Sequence, residues 1–361
     1  MSELPKLGKL PPVIFDEIIY PNLGSIDQSV IVGPRHGVDF GVVELNEREV
    51  LIIKSDPVFV VPEYGWDRSA WFAVHILASD VSNSGVAPRY LAIDLNLPQS
   101  MTREEFTKLW LGIHKECKKL GISIVTGHTG KYAGIDYPMI GGAAMFAVAP
   151  KDGYVTTEMA KPGDKIIMTK GPAIEAAGIL SVMFPRFVEE QFGKDFAVKA
   201  GNIFYLQSVV DDALTLAKVG LRTGITSMHD ATEYGVWGAL HDIVEASKVG
   251  IRVYRDKLFI RDDVKKIIDA FSQLTGIEAD PYAAISEGTL IATVKPWKVN
   301  EALELLRNKG IDAQVIGEIT DEKGDVILIT NNGEEKISRP EQDPFWPMFF
   351  KTLEILGSPK R

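Results

Sequence analysis

The stretch Leu51–Leu97, LIIKSDPVFVVPEYGWDRSAWFAVHILASDVSNSGVAPRYLAIDLNL, decides the fold. Ile52 and Ile53 lead an apolar run into Lys54-Ser55-Asp56-Pro57, which predicts a strand that stops at Asp56. From Ser69 to about Ser82, Trp71, Val74, Leu77 and Ala78 recur at the spacing of one helix face. Asp80 and Asn83 fall near the end of that helix, and Gly85 and Pro88 break it before a strand over Tyr90–Leu97. Carboxylates at a strand end and a helix end, beside a turn of small residues, predict a corner suited to metal-bound phosphate. Magnesium takes oxygen ligands and shares them with phosphates.

Composition bounds the remaining classes. A chain of 361 residues can bury a substantial core, and two domains are more natural than one. Hydrophobic residues at 45% and charged residues at 24%, with no biased tract, are ordinary for an α/β protein. A net charge of -10 argues against a broad nucleic-acid footprint, which needs clustered lysine and arginine. Cys117 stands alone, which excludes an intrachain disulfide and a multi-cysteine zinc site; its helical spacing predicts a buried thiol. No run approaches the roughly 20 apolar residues of a membrane span. Pro5, Pro11 and Pro12 interrupt the segment where a signal peptide would stand. The expected setting is the cytoplasm, with neither membrane nor nucleic acid as partner.

Along the chain, residues 1–24 read as a loose lead-in and Ile26–Val32 as a short strand opening on Asp27. Val38–Val43 is ambiguous, and Val50–Ile53 is the next strand. Thr102-Arg103-Glu104-Glu105 is a capping box for a helix to Leu120. A strand over Ile122–Thr126 leads to Gly127-His128-Thr129-Gly130-Lys131, and a strand rich in glycine and alanine follows over Met139–Val148. Lys161-Pro162-Gly163-Asp164 marks a domain joint. Beyond it, helices are predicted over Ala173–Val182, Ala200–Lys218, Val236–Ala246, Asp263–Leu274 and Val299–Asn308. Strands are predicted over Lys165–Thr169, Ile225–Met228, Ile251–Tyr254 and Thr289–Val294, with Ala313–Ile319 and Asp325–Thr330 as a closing pair. Short crossovers favour α+β layers over a long parallel sheet. The spacing of Phe345, Trp346, Phe349, Phe350, Leu353 and Leu356 predicts an amphipathic helix docked on its own domain, with a partner surface as the other reading.

Each of Asp27, Asp56, Asp80, Asp164 and Asp230, taken alone, reads as a loop or capping residue. Only several converging from different strands would serve a magnesium–phosphate site. Gly127–Lys131 could offer backbone amides to phosphate with Lys131 as a point charge, although it is no Walker A motif. His128 could be a ligand, an acid–base group or a structural histidine. His229-Asp230-Ala231-Thr232-Glu233-Tyr234-Gly235 leaves a strand for a helix start whose amides can hold an anion. Ser286-Glu287-Gly288 is a turn that could aim its carboxylate at a ligand. No GxSxG or GxGxxG occurs.

Together these motifs resemble the AIR synthase-like superfamily of ATP-using enzymes over about Ile26–Thr330. Asp27-Gln28-Ser29-Val30-Ile31 resembles its DAAV loop, Lys54-Ser55-Asp56 its TTD strand end, and Ala78–Pro88 its (S/N)DLAAMGAxP helix end. Gly127-His128-Thr129 stands where many members have GDT or GET. His229–Gly235 resembles HDxTxGG, Ser286-Glu287-Gly288 the NEG turn, and Val315-Ile316-Gly317 the closing IG segment. The resemblance implies a PurM-like, two-domain α/β (α+β) fold. Residues 1–157 would bind ATP and pair between two copies into a β-barrel flanked by helices. Residues 158–335 would form an α/β domain, and residues 336–361 a helical extension. It further implies a homodimer that uses ATP and magnesium to phosphorylate, or activate through phosphate, a small-molecule substrate. Asp27, Asp56 and Asp80 would hold the metal; Lys54, Asn83, Gly127, Thr129, Lys131, His229, Thr232 and Glu233 would line the nucleotide; His128, Asp230 and Glu287 would act in catalysis. A nucleotide-binding maturation partner without catalysis is the alternative.

Three departures stand out. His128 replaces an acidic residue, and imidazole suits magnesium poorly. Tyr234 replaces the first glycine of the GG pair. The final residues Gly357-Ser358-Pro359-Lys360-Arg361 lack the terminal cysteine on which the family's cyanide-forming maturation factor carries its product, so that reaction is not expected on this chain.

Overall fold

The protein is described from a computed structural model covering residue 10 and residues 12–358. The nine residues at the start, residue 11, and Pro359, Lys360 and Arg361 lie outside it, so part of the predicted lead-in and the expectation about the terminal cysteine fall beyond the described residues.

The first half is a six-stranded sheet in the order β1-β2-β3-β6-β4-β5. Its strands are β1 (Val30–Val32), β2 (Gly41–Glu44), β3 (Glu49–Phe59), β4 (Tyr90–Leu97), β5 (Ser123–Lys131) and β6 (Met139–Pro150). Leu91, Ile93, Leu95 and Leu97 are buried on alternate residues of β4, as a half-covered sheet requires. The Trp66–Ser82 and Arg103–Leu120 helices cover that face, and Val74, Leu77, Val81, Leu109, Ile113 and Cys117 join Ile52 and Ile93 in one core. The capping box at Thr102 and Glu105 forms as expected, and Gly121 closes the helix in the left-handed conformation.

The second half is a seven-stranded sheet in the order β13-β12-β9-β11-β7-β10-β8. It contains β7 (Lys165–Thr169), β8 (Ile225–Ala231), β9 (Gly250–Tyr254), β10 (Thr289–Val294), β11 (Ala313–Thr320), β12 (Val326–Thr330) and β13 (Gly333–Ile337). Every residue of β8 and β10 is buried, because helices lie on both faces there. Among the described residues only β4 with β5 and β9 with β12 pair in parallel, which is the layered α+β arrangement the sequence predicts.

Several boundaries differ from the sequence reading, each for a local reason. β3 does not stop at Asp56 but runs on to Phe59. β2 pairs only as far as Ile53, so the missing N–H of Pro57 faces an edge while Gly142 of β6 lies on its other side. Strand structure before β2 starts late, at Val30, because the Asp27 carboxylate accepts from Ser29 N at 2.9 Å and holds a turn. The predicted Ala200–Lys218 helix is four pieces, Lys194–Gly201, Ile203–Leu206, Val210–Leu216 and Ala217–Val219, broken after Gly201 and again at Gln207-Ser208. β11 and β12 do not pair with each other. β11 lies between β7 and β9, whereas β12 pairs with β9 and with β13, a polar and mostly exposed strand that has no apolar alternation to reveal it. The Phe345–Leu356 helix docks on its own chain, with Phe345 and Met348 buried in the core that holds Ile268 and Phe271 of the Asp262–Thr275 helix.

Candidate functional site

One strand and the helix that follows it bring the first carboxylates together. Lys54 and Asp56 follow the apolar run of β3, and the Trp66–Ser82 helix delivers Asp80 beside them. Lys54 Nζ lies 3.1 Å from Asp80 Oδ2 and 3.5 Å from Asp56 Oδ2. Asn83, just past the helix, donates through Nδ2 to Asp39 Oδ2 at 3.0 Å and to Asp230 Oδ1 at 2.5 Å. Asp230 and His229 come from β8 in the other half of the chain, and are 1% and 5% exposed. His229 Nδ1 sits 2.7 Å from Asp39 Oδ1, off the line of an aligned hydrogen bond, and its Nε2 faces Asp242 Oδ2 at 3.3 Å. Glu287 follows on the turn before β10, and its backbone N–H donates to Glu175 Oε2 at 3.1 Å.

The charges in this group do not balance. Among the described residues, Asp39, Asp56, Asp80, Asp230 and Glu287 face only Lys54 and His229. Burial raises Asp80, Asp230 and Glu287 above the usual carboxylate range, and their mutual repulsion adds to it, while Lys54 pulls Asp80 and Asp230 back down. Burial also opposes the charges on Lys54 and His229, but the surrounding carboxylates outweigh it and hold both well above their ordinary values. Glu175 is pushed up to about 8, by burial first, with the Glu287 N–H only partly offsetting it.

These shifts share one sign. Between the unfolded value of 4.5 and the folded value of about 8, the folded protein keeps a proton on Glu175 that the unfolded chain has released. His229 acts likewise above 6.5, so stability falls as pH rises across this window. The ligand-free protein should therefore melt lower near pH 8 than near pH 5, and Glu175→Gln should flatten that slope. Differential scanning calorimetry across the range checks it, and a melting temperature that climbs with pH would contradict the buried cluster.

The sequence-predicted residues divide. Lys54, Asp56, Asp80, Asn83, His229, Asp230 and Glu287 meet. Thr232 and Glu233 lie on the adjoining loop, where the Thr232 carbonyl accepts from Gly235 N and Ser286 N and so joins the two carboxylate-bearing turns. Asp27 stays apart, fully exposed and engaged with its own turn through Ser29. Gly127, His128, Thr129 and Lys131 form β5 and not a phosphate loop, because Ile93 to Leu97 of β4 pair with Gly127 to Lys131. Gly127 is needed there since a Cβ would come within 2.0 Å of the Ile93 carbonyl oxygen. His128 Nε2 lies 2.5 Å from Tyr132 Oη on the exposed strand, and Lys131 Nζ donates to the Met101 carbonyl at 2.7 Å.

Four site residues escaped the sequence reading: Asp39, Glu175, Asp242 and Asp343. Asp39 is placed by strand register, which the sequence alone does not announce. Gly41 pairs with Ile53 across β2 and β3, so Asp39, two residues earlier, falls level with Ser55 and next to Asp56. Asp242 sits within the Gly235–Ser247 helix, where its spacing marks nothing.

The arrangement fits a divalent cation carrying phosphates. Asp230 Oδ2, Asn83 Oδ1 and Glu287 Oε1 are buried and without a hydrogen-bond partner among the described residues. Asp39, His229 and Asp230 present ligand atoms within 4.8 Å of one another. The oxygens are the part that suits magnesium, and His229 is already engaged by Asp242.

Comparison with known proteins identifies the family and the fold. The family model for the AIR synthase related protein N-terminal domain matches residues 37–148, and its C-terminal counterpart matches residues 161–329. The first match starts at Gly37 and so includes Asp39 but not Asp27. A Methanocaldococcus jannaschii protein named for hydrogenase expression and formation is 25% identical over 341 residues, spanning 93% of this chain and 96% of its own. The carbamoyl dehydratase HypE of Escherichia coli is 26% identical over 251 residues, 68% of this chain and 69% of its own. A crystal structure of the hydrogenase maturation protein HypE in complex with ATP superposes with a TM-score of 0.61 at 22% identity, covering 92% of each chain, which establishes a shared fold. No helix among the described residues is long and apolar enough to cross a membrane. With both halves matched by the two models of one family, and with that family's two-domain α/β fold, the chain belongs to the AIR synthase-like superfamily.

Proposed function

We propose that this protein binds ATP with magnesium at the acidic cluster shared by its two halves, and phosphorylates or phosphate-activates a small metabolite. The observation that carries this reading is the meeting of Asp39, Asp56, Asp80, Asp230 and Glu287 around two cations, with buried oxygens left without donors among the described residues. ATP in the related HypE structure supports the choice of nucleotide. Asp39, Asp56, Asp80 and Asp230 would hold the cation, which supplies charge neutralisation for the phosphates. Lys54 neutralises Asp56 and Asp80, and its ammonium would be available to a phosphate where a cation took those carboxylates. Asn83 orients Asp39 and Asp230 relative to each other. The acceptor oxygen bonds to the γ-phosphorus as the β–γ bridging oxygen leaves with ADP. Glu287, buried on the turn beside Asp230, is placed to take the proton of an acceptor hydroxyl.

The domain limits stay as residues 1–157, 158–335 and 336–361. A homodimer through the first sheet is part of the same proposal, supported by β5 and the start of β6, where Val125 and Met139 are 55% and 59% exposed. The second reading, a nucleotide-binding maturation partner without turnover of its own, is favoured by the relatives named for hydrogenase maturation.

Titration calorimetry tests the first step. ATP should bind in magnesium and roughly tenfold or more weakly in a chelator. Equal affinity in both would remove the cation, and no binding in either would remove the nucleotide. ADP release by the protein alone, with aminoimidazole, thiamine or carbamoyl-type metabolites, would separate the enzyme from the partner protein.

A further inference from the structure

Beyond residue 329, where the family match ends, the chain turns back over the site and holds it at two points. Arg339 Nη2 donates to Asp242 Oδ1 at 2.6 Å, and its Nη1 lies 3.7 Å from Glu245 Oε2. The other oxygen of Asp242 faces His229 Nε2 at 3.3 Å, and His229 Nδ1 in turn faces Asp39. Four residues on, Asp343 is 3% exposed. Its Oδ2 accepts from Tyr234 N at 2.8 Å, and its Oδ1 accepts from Phe345 N at 2.9 Å, which starts the docked Phe345–Leu356 helix. The backbone N–H of Ile285, two residues before Glu287, faces the same carboxylate and helps hold its charge.

Tyr234 needs this support. It stands at φ 65°, a conformation glycine adopts freely and a tyrosine adopts at a cost. Gly235 after it is also at positive φ and admits no side chain, since a Cβ there would meet the Ala284 carbonyl oxygen at 2.5 Å. A charged acceptor on the Tyr234 N–H fixes the turn that follows Asp230.

We propose that the segment Arg339–Phe345 is a positioning strap for the acidic cluster: Arg339 orients His229 through Asp242, and Asp343 clamps the turns that carry Asp230 and Glu287. This rests on the proposed ATP–magnesium site. Arg339 and Asp343 are positioning residues, since neither lies among the groups that would touch the cation or nucleotide. The docked aromatic helix anchors the far end of the strap in the protein's own core.

The test reads His229 directly, in ligand-free protein, by imidazole nitrogen–proton spectra assigned with His229→Gln. In Arg339→Ala the His229 ring signals should move or broaden, and Arg339→Lys should bring them partway back. Glu245→Gln, which removes the other partner of Arg339, should leave them in place. Arg339→Gln serves as a second variant should the alanine form fail to fold. Magnesium–ATP affinity should fall roughly tenfold in Arg339→Ala. If Arg339 only docks the tail, the melting temperature drops while the His229 signals coincide with those of the parent, and the proposal is overturned. Absence of ATP binding in the parent protein would sink the proposed function, while the His229 spectra still decide the strap.

Discussion

Asp39→Asn is expected to weaken magnesium-dependent ATP binding by about a hundredfold or more, and Asp27→Asn by less than about twofold. The contrast follows from placement. Asp39 sits between Asn83 and His229, with its side chain 7% exposed, so its charge acts through protein rather than water. A neutral amide there would remove an anionic oxygen from the proposed cation and leave His229 with one carboxylate partner. Asp27 is exposed, and its carboxylate is spent on the N–H of Ser29 two residues on. Calorimetry on both variants, with circular dichroism to confirm folding, checks the pair. Equal losses, or a larger loss in Asp27→Asn, would return the cation to the residue the sequence first suggested.

Lys54→Met should cost about 3 kcal/mol of folding stability at neutral pH, near the low end for breaking a buried ion pair because the Lys54 side chain is 21% exposed. Without the ammonium, Asp80 and Asp56 are left facing Asp39 and Asp230 with no nearby cation but His229 among the described residues. Two further results follow. The loss should shrink as pH falls, because protonated carboxylates no longer repel. Millimolar magnesium should recover part of it, since a cation that binds only the folded state stabilises it by mass action. Urea unfolding at two pH values, with and without magnesium, measures all three quantities. A variant as stable as the parent, and indifferent to magnesium, would mean that solvent already relieves the crowding.

Much of the scaffold was legible because its signals are local. The apolar spacing of Val74, Leu77 and Ala78, the capping box at Thr102, Gly121 as terminator and the Thr289–Val294 strand all reappear in the fold. Each depends on side chains a few residues apart along one element. Ala200–Lys218 failed because helix spacing survives a break, whereas the backbone at Gln207, with ψ 41°, leaves the helical region. Gly127–Lys131 failed for another reason: glycine suits a tight loop and also a strand whose neighbour approaches closely, and only the partner β4 decides between them.

The amino-acid sequence by itself determined the two α+β halves, the family, and the acidic residues Asp56, Asp80, Asp230 and Glu287, since strand ends, helix ends and motif order are written in neighbouring residues. The tertiary structure decided which aspartate completes the cluster, and that Arg339, Asp343 and Asp242 stand behind it. These groups lie far apart in the chain: Asn83 reaches Asp230 across 147 positions, and Asp343 reaches Tyr234 across 109. Burial, charge balance and hydrogen-bond geometry between such residues exist only once the sheets have packed, so no local pattern announces them.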